Sequence, residues 1–435
     1  MADIRAFRGW RYNLARVGEL SAVIAPPYDI VVAELHEVLL SRHPANIIRV
    51  ELSKEFPTDT EESNRYTRAA RQLHDWKYDG IMLAESHPAI YVVHQQFQVE
   101  GRTYTRHGFL ARLKLEPFSE GNVFAHEETM AGPKADRLRL YHATGMNISP
   151  VFGMFPDAAN EVQDQLDRAI RGRTPLEAAD HLGVVSRMWP LTDELLISQI
   201  RAHMGPRPIF IADGHHRYET AVRYRDDRRA VGAVRDDDSP ANFCLMMCVG
   251  MSDPGLIILP THRLVSGLSR LRSAELRSLI EPEFEIEEMG SGASACRETW
   301  ETIEVDGGQN LLGLGTVDDG NWLLVRLRGT AAMDGLVPEH SLAWRGLGVS
   351  ILHELVLSEL LRSRLAGKPP QLRYIHLIDE VLECFGTRQC DLACLVPAAT
   401  MNHVQQIAST GERMPAKSTY FYPKLLTGLV LNPIA

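Results

Sequence analysis

Apolar residues fall along this chain in short runs and alternations, which divide it into many short elements. The run Ile209-Phe210-Ile211-Ala212, closed by Asp213-Gly214, predicts a buried strand. Tyr218, Ala221 and Val222 then recur on one face of a helix reaching about residue 229. Residues 89–99 and 103–115 alternate around Glu100-Gly101, the pattern of a hairpin. Further strands are predicted at 151–155, 183–190, 242–250 and 256–265, and helices at 59–77, 134–144, 158–171 and 192–203. The stretch 44–51 predicts a turn followed by a strand. Ala25-Pro-Pro-Tyr-Asp29 predicts an extended turn, since proline fixes its own φ and restrains the residue before it. Beyond residue 270 the pattern gives helices at 273–282, 292–304 and 348–364, a hairpin at 309–328 and a strand–helix unit at 390–408. This is a mixed α/β chain, with a boundary near 266–272 separating a region 1–268 from a C-terminal α/β domain 269–435.

Bulk composition narrows the function classes. The chain has 435 residues, 45% hydrophobic and 23% charged, a globular balance long enough for two domains. A net charge of −10 argues against nucleic acid as a partner. No run of about 18 apolar residues occurs and the first residues carry no apolar leader, so neither membrane nor secretion is expected. None of the six cysteines forms a C-x-x-C pair. Cys244 and Cys248 sit in an apolar run that predicts buried thiols, and Cys390-x-x-x-Cys394 lacks the histidine pair of a zinc finger. Reduced thiols suit a cytoplasmic protein. A homodimer is compatible with all of this.

Four clusters carry candidate chemistry. Asp213-Gly-His-His-Arg217 stands where the strand gives way to the helix, so free N–H groups and the helix dipole favour an anion there. Gly214 allows close approach to the backbone, and Arg217 can fork onto phosphate oxygens. The alternative is Asp213 as a plain N-cap with solvated basic side chains. His126-Glu127-Glu128-Thr129, followed by Lys134, Asp136 and Arg137, offers a general base beside charge-stabilising groups, or solvated loop acids. Asn147 and Ser149 can bind a substrate or satisfy a turn. Residues 411–424 mix Lys417, Tyr420 and Lys424 with other aromatics, able to reach a phosphate or clamp a base, or to form an aromatic plug. A Walker loop and a G-x-S-x-G elbow are absent, and His353-Glu354 is followed by Leu357 rather than the second histidine of H-E-x-x-H.

Together, Ala25-Pro-Pro-Tyr-Asp29, His126-Glu-x-Thr129 with Lys134-x-Asp-Arg137, Ile211–Thr220 and Met414-Pro-x-Lys-Ser-Thr-Tyr-Phe-Tyr-Pro-Lys424 resemble the domain-of-unknown-function family 1015 over essentially the whole chain. More distantly, Asp213-Gly-His-His-Arg217 is similar to the Asp-Gly-His-Thr-Arg box of archaeal free serine kinases, with His216 where those carry Thr. The resemblance implies a ParB/sulfiredoxin-like nucleotide-binding core. It also implies a phosphotransferase making O-phosphoserine from free L-serine, with ATP or ADP as donor and Mg²⁺. On that reading Asp213, Gly214, His215, His216 and Arg217 hold the phosphates, and Asp213 binds Mg²⁺. Glu127, beside His126, takes the hydroxyl proton, and Lys134 or Arg137 balances the transferring phosphoryl. Asn147 and Ser149, with Lys417 and Tyr420, bind the substrate. Arg217→Ala is then expected to cost more turnover than Arg225→Ala. The alternatives are a ParB-type nucleotide-binding regulator without metabolite turnover, and a phosphohydrolase using His215 or His216 with a metal.

Overall fold

The computed structural model describes residues 2–118, 121–268, 270–365 and 369–435. It divides into two compact units, the first made of Met1–Ala125, Thr129–Ile257 and Pro423–Ala435, the second of His126–Glu128 and Ile258–Tyr422. Where the sequence pattern suggests one boundary at 268/269, the long stretch of the first unit stops at Ile257. Its remaining piece comes from the end of the chain.

The first unit is built on a mixed nine-stranded sheet. In spatial order it runs Val123–Phe124, Ile209–Asp213, Val151–Phe155, Phe243–Gly250, Arg102–Lys114, Ile90–Val99, Val185–Leu191 and Leu176–Ala179, with Ile4–Arg5 also pairing along Arg102–Lys114. The predicted hairpin is present: Val99 faces Arg102, and Glu100 and Gly101 both take positive φ, as a two-residue turn matched to strand twist requires. The strand Phe243–Gly250 is buried along its whole length, which suits an unbroken apolar run in the middle of a sheet. Helices Ala131–Thr144, Glu161–Ile170, Glu194–Met204 and His215–Ala230 accompany the sheet. Its core gathers Ile209, Ile211, Tyr218, Ala221, Met246 and Phe155.

One predicted strand is a helix. Residues Ile48–Glu51 form a short helical turn. The Asn46 side chain fixes it, accepting from Ile48 N at 3.0 Å and donating to the Ala22 and Ile24 carbonyls at 2.8 and 3.0 Å. Tertiary anchoring thus overrides the β preference of the Ile and Val residues there.

The second unit has a six-stranded sheet in the order Phe284–Ser291, Asn321–Leu327, Leu311–Thr316, Leu392–Leu395, His262–Ser266 and Gln371–Ile375. Its core includes Trp300, Trp322, Leu395 and Phe385. The expected helix at 348–364 begins as Gly348–Ser350 and continues through Ile351–Leu360 as a π-helix. The six cysteines are buried free thiols. No helix among the described residues is long and apolar enough to cross a membrane.

Candidate functional site

The first unit contains the junction singled out in the sequence. The strand Ile209–Asp213 sits between Val123–Phe124 and Val151–Phe155, and its register slips between Ile211 and Asp213 so that Asp213 faces Phe152. Such an irregularity re-aims the side chain at the strand end. Gly214 follows in the left-handed region, φ 86°, and is the N-cap of the helix His215–Ala230 with no side-chain cap. Asp213 is therefore not an N-cap: its carboxylate turns to two cations instead. Arg217 Nη2 donates to Oδ2 at 2.7 Å, and Lys424 Nζ donates to Oδ1. The other end of the Arg217 guanidinium donates to the Pro150 carbonyl. Glycine is required at 214 twice over, by φ and by space. A Cβ there would stand 2.9 Å from Arg217 Nε and Nη2.

The electrostatics follow from this packing. Burial pushes the Asp213 carboxyl up, but Lys424 first and Arg217 second overcome it and hold it well below the usual carboxylate range. Burial disfavours the Arg217 charge, and Asp213 leads the carboxylates that more than restore it, so its pKa is raised. Arg106, fully buried on the strand Arg102–Lys114, lies over the Phe152 ring at 4.7 Å. It donates to Gln95 Oε1 and the Pro423 carbonyl. Burial takes its pKa down to about 9, against the pull of Asp253 and Asp213. Two cations thus meet on Asp213, and the Arg106 charge responds to it without bonding to it, an arrangement suited to a phosphate.

The same geometry decides the fit of a metal. Both Asp213 oxygens accept from cations, so of the two expected modes, direct or through water, the direct Mg²⁺ bond does not fit, because it would have to displace Lys424 or Arg217.

Thr129, Met130 and the first turn of the helix Ala131–Thr144 approach the first turns of the helix His215–Ala230. Met130 N donates to His216 Nε2 at 2.9 Å, and Thr129 Oγ1 and Lys134 Nζ both donate to Glu219 Oε2, at 2.7 and 2.8 Å. Lys134, expected to balance a phosphoryl group, forms an ion pair on this helix. His215 is buried and its charge lowers the Asp213 pKa.

A second buried group lies in the same unit. Arg137 Nη1 stands 3.3 Å from Glu51 Oε1 and donates to the Glu51 carbonyl at 2.9 Å. Its Nη2 meets Asp136 Oδ2 at 2.5 Å, and the guanidinium lies over the Tyr28 ring at 4.2 Å. Ser149 Oγ donates to Glu51 Oε1 at 2.9 Å. Burial lifts the Tyr28 hydroxyl to about 12, with Arg217, Asp29, Arg137 and Glu51 all acting on it. Glu51 was not singled out in the sequence. The signal that could have found it is a glutamate ending an apolar run, Ile47-Ile-Arg-Val-Glu51, shortly after the Ala25–Asp29 turn.

Other expected residues take different places. Asn147 is buried with its Oδ1 occupied by Leu245 N and Asn432 Nδ2, both at 3.0 Å, so that oxygen joins strands. Arg225 is a poor comparator for Arg217, since it is buried and donates to the Leu115 carbonyl at 2.8 Å, whereas Arg223 is exposed beside Asp227. His126 and Glu127 belong to the second unit, where His126 Nε2 lies 2.8 Å from Thr419 Oγ1. Lys417 and Tyr420 belong there too: the Lys417 carbonyl accepts from buried Arg263 at 2.9 Å, and Tyr420 stacks on His376 at 3.6 Å.

No curated protein matches the sequence. Among solved structures, a conserved hypothetical protein from Pyrococcus furiosus aligns at 13% identity and TM-score 0.33, covering 73% of this chain and 93% of that one. A free serine kinase in complex with AMP aligns at 12% and TM-score 0.34, covering 74% and 91%. SbnI with C-terminal truncation from Staphylococcus aureus aligns at 12% and 0.34, covering 75% and 87%. Residues 4–350 match the family described as "Protein of unknown function (DUF1015)", and the chain belongs to that family.

Proposed function

We propose that the first unit binds the phosphates of a nucleotide at the start of the helix His215–Ala230 and transfers a phosphoryl group to a small hydroxyl acceptor. One observation carries this reading. Arg217 and Lys424 converge on one carboxylate at a helix start that opens on a left-handed glycine without a side-chain cap. Phosphoryl transfer depends on positioning and charge neutralisation more than on covalent chemistry, and a buried cationic cluster at a helix N-terminus supplies both. Free L-serine is the acceptor and ATP or ADP the donor that the likeness of Asp213–Arg217 to the free serine kinase box implies. The fold name ParB/sulfiredoxin-like belongs to the same implication.

Gly214 and the first-turn backbone approach the phosphates, and Arg217 and Lys424 neutralise them, with Asp213 holding both cations in place. Proton acceptance passes from Glu127 to Glu51, a buried carboxylate of the same unit, held by Arg137 and Ser149. The acceptor oxygen bonds to the terminal phosphorus as its bond to the bridging oxygen breaks. The hydroxyl proton goes to Glu51, and the nucleotide leaves one phosphoryl group shorter.

Incubation of the purified protein with ATP or ADP, Mg²⁺ and a pool of amino acids, read by mass spectrometry, tests this. O-phosphoserine should appear, vanish in Arg217→Ala and Glu51→Gln, and persist in Arg223→Ala. Intact nucleotide with no phosphorylated product would favour the regulator instead, and nucleotide consumed without an acceptor product would favour hydrolysis.

A further inference from the structure

The other face of the first unit's sheet carries a cluster unused so far. His94 and His107 are directly paired across the strands Ile90–Val99 and Arg102–Lys114, their rings edge-on at 4.5 Å. Arg106 and His107 are consecutive on one strand and so point to opposite faces, which separates this cluster from the cations around Asp213. From the helix Glu161–Ile170, Asp167 brings Oδ1 to 2.9 Å from His94 Nε2. One donor atom from each of His94, His107 and Asp167 lies within 4.8 Å of the others.

Asp253 gives the cluster its direction. It is buried, its Oδ2 lies 2.9 Å from His107 Nδ1, and Gly255 N fixes its Oδ1 at 2.9 Å. A carboxylate on Nδ1 selects the tautomer whose Nε2 lone pair is free to bind a metal and raises its basicity, an arrangement common around metal-bound histidines. Gln163 Nε2 positions Asp167 by donating to Oδ1 at 2.6 Å.

We infer that His94, His107 and Asp167 bind a divalent transition-metal ion, with Asp253 orienting His107. Two imidazoles and one carboxylate suit zinc and its first-row neighbours rather than Mg²⁺ or Ca²⁺. Zn–N and Zn–O bonds of about 2.0–2.2 Å place tetrahedral ligand atoms about 3.4 Å apart, so the His94–Asp167 pair, at 2.9 Å, has to open slightly, while the remaining pairs lie within 4.8 Å, in reach of one ion. Three protein ligands leave a fourth position for water or an external ligand. The three ligands lie on the sheet face opposite Arg106, and Asp253 alone acts on both sides, bonded to His107 and pulling on the Arg106 charge.

The test uses the full chain, stripped with a chelator and dialysed. Zn²⁺ is titrated by calorimetry, and Co²⁺ is followed by its visible absorption. The expected result is one Zn²⁺ per chain and a Co²⁺ spectrum of low coordination number, with no competition from excess Mg²⁺. Asp167→Asn, at a partly exposed position that spares the fold, should weaken Zn²⁺ at least tenfold. Asp253→Asn should weaken it about 10–100-fold at unchanged stoichiometry. The double variant His94→Ala/His107→Ala, checked for its melting transition, should abolish binding. No stoichiometric Zn²⁺ on the unsubstituted chain, or binding that survives the double variant, would overturn the inference.

Discussion

Gly214→Ala is the sharpest probe of the cradle, because the structure allows its cost to be divided. Forcing a side chain into the left-handed region costs about 1–2 kcal/mol. The new Cβ would also stand 2.9 Å from Arg217 Nε and Nη2, so the guanidinium must move. Arg217 is 2% exposed and tied to Asp213 and the Pro150 carbonyl, so it has nowhere cheap to go. Losing one charge-assisted hydrogen bond adds about 1.5–3 kcal/mol. Gly232, just beyond the same helix, is the control: its φ is also positive, at 70°, but nothing lies within 4 Å of its Cβ. Gly232→Ala should carry only the backbone cost. At about 2–4 °C per kcal/mol, the two variants should melt about 5 °C apart. Calorimetric melts and nucleotide titrations of both proteins measure this. Gly214→Ala should melt lower and lose nucleotide binding, with Gly232→Ala binding as the unsubstituted chain does. Equal melts and equal binding would refute the reasoning, since Arg217 would then be free to yield.

Three further perturbations test the surrounding physics. Lys424→Met removes the larger of the two cationic influences on Asp213, and breaking this buried pair should cost about 3 kcal/mol at neutral pH. Because the folded-state pKa of Asp213 lies below its ordinary 3.8, its stabilisation is present above that pH and fades as pH falls through the depressed value, so urea unfolding of Lys424→Met should show a weaker dependence on acid. In the second unit, burial brings His262 down to about 3 and His353 to about 4. Below pH 6.5 the unfolded chain therefore binds more protons, and stability should fall by about 1.4 kcal/mol per pH unit for each; His262→Gln should remove one such contribution from the slope between pH 6 and 5. Gly315→Ala puts a Cβ 2.7 Å from the Trp322 ring and should destabilise the second unit by about 1–3 kcal/mol in the same urea assay, with nucleotide binding unchanged.

Local chemistry was legible in the sequence wherever neighbours along the chain determined it. The strand–glycine–helix junction at 209–230 and the hairpin about Glu100-Gly101 are of this kind, since apolar period and turn residues suffice to specify them. The edge strand Phe284–Ser291 was passed over although Phe284 and Ile286 alternate with acids, because its outer positions are exposed and acidic. What failed was what distant residues decide. Asn46 bonds to residues near position 23 and turns an apparent strand into a helix, and Glu51 finds Arg137 and Ser149 far along the chain. At the junction itself, Asp213 and Arg217 lie one helical turn apart in the sequence, but the Lys424 that takes the other Asp213 oxygen comes from far along the chain and leaves no signal there.

The first unit's use of Pro423–Ala435 has a consequence for biosynthesis. These residues supply Lys424 to Asp213, pair Asn432–Pro433 with Met146–Asn147, and bridge Leu431 to Trp10 and Thr427 to Ala25. A ribosome adding about 5–20 residues per second releases Ile257 on the order of ten seconds or more before they emerge. Throughout that interval Asp213 has only Arg217 of its two cations, and the sites awaiting the last segment stay open. The second unit, drawn almost wholly from Ile258–Tyr422, is synthesised within that same interval. The contacts that complete the first unit thus form only after the whole of Ile258–Tyr422 has been made.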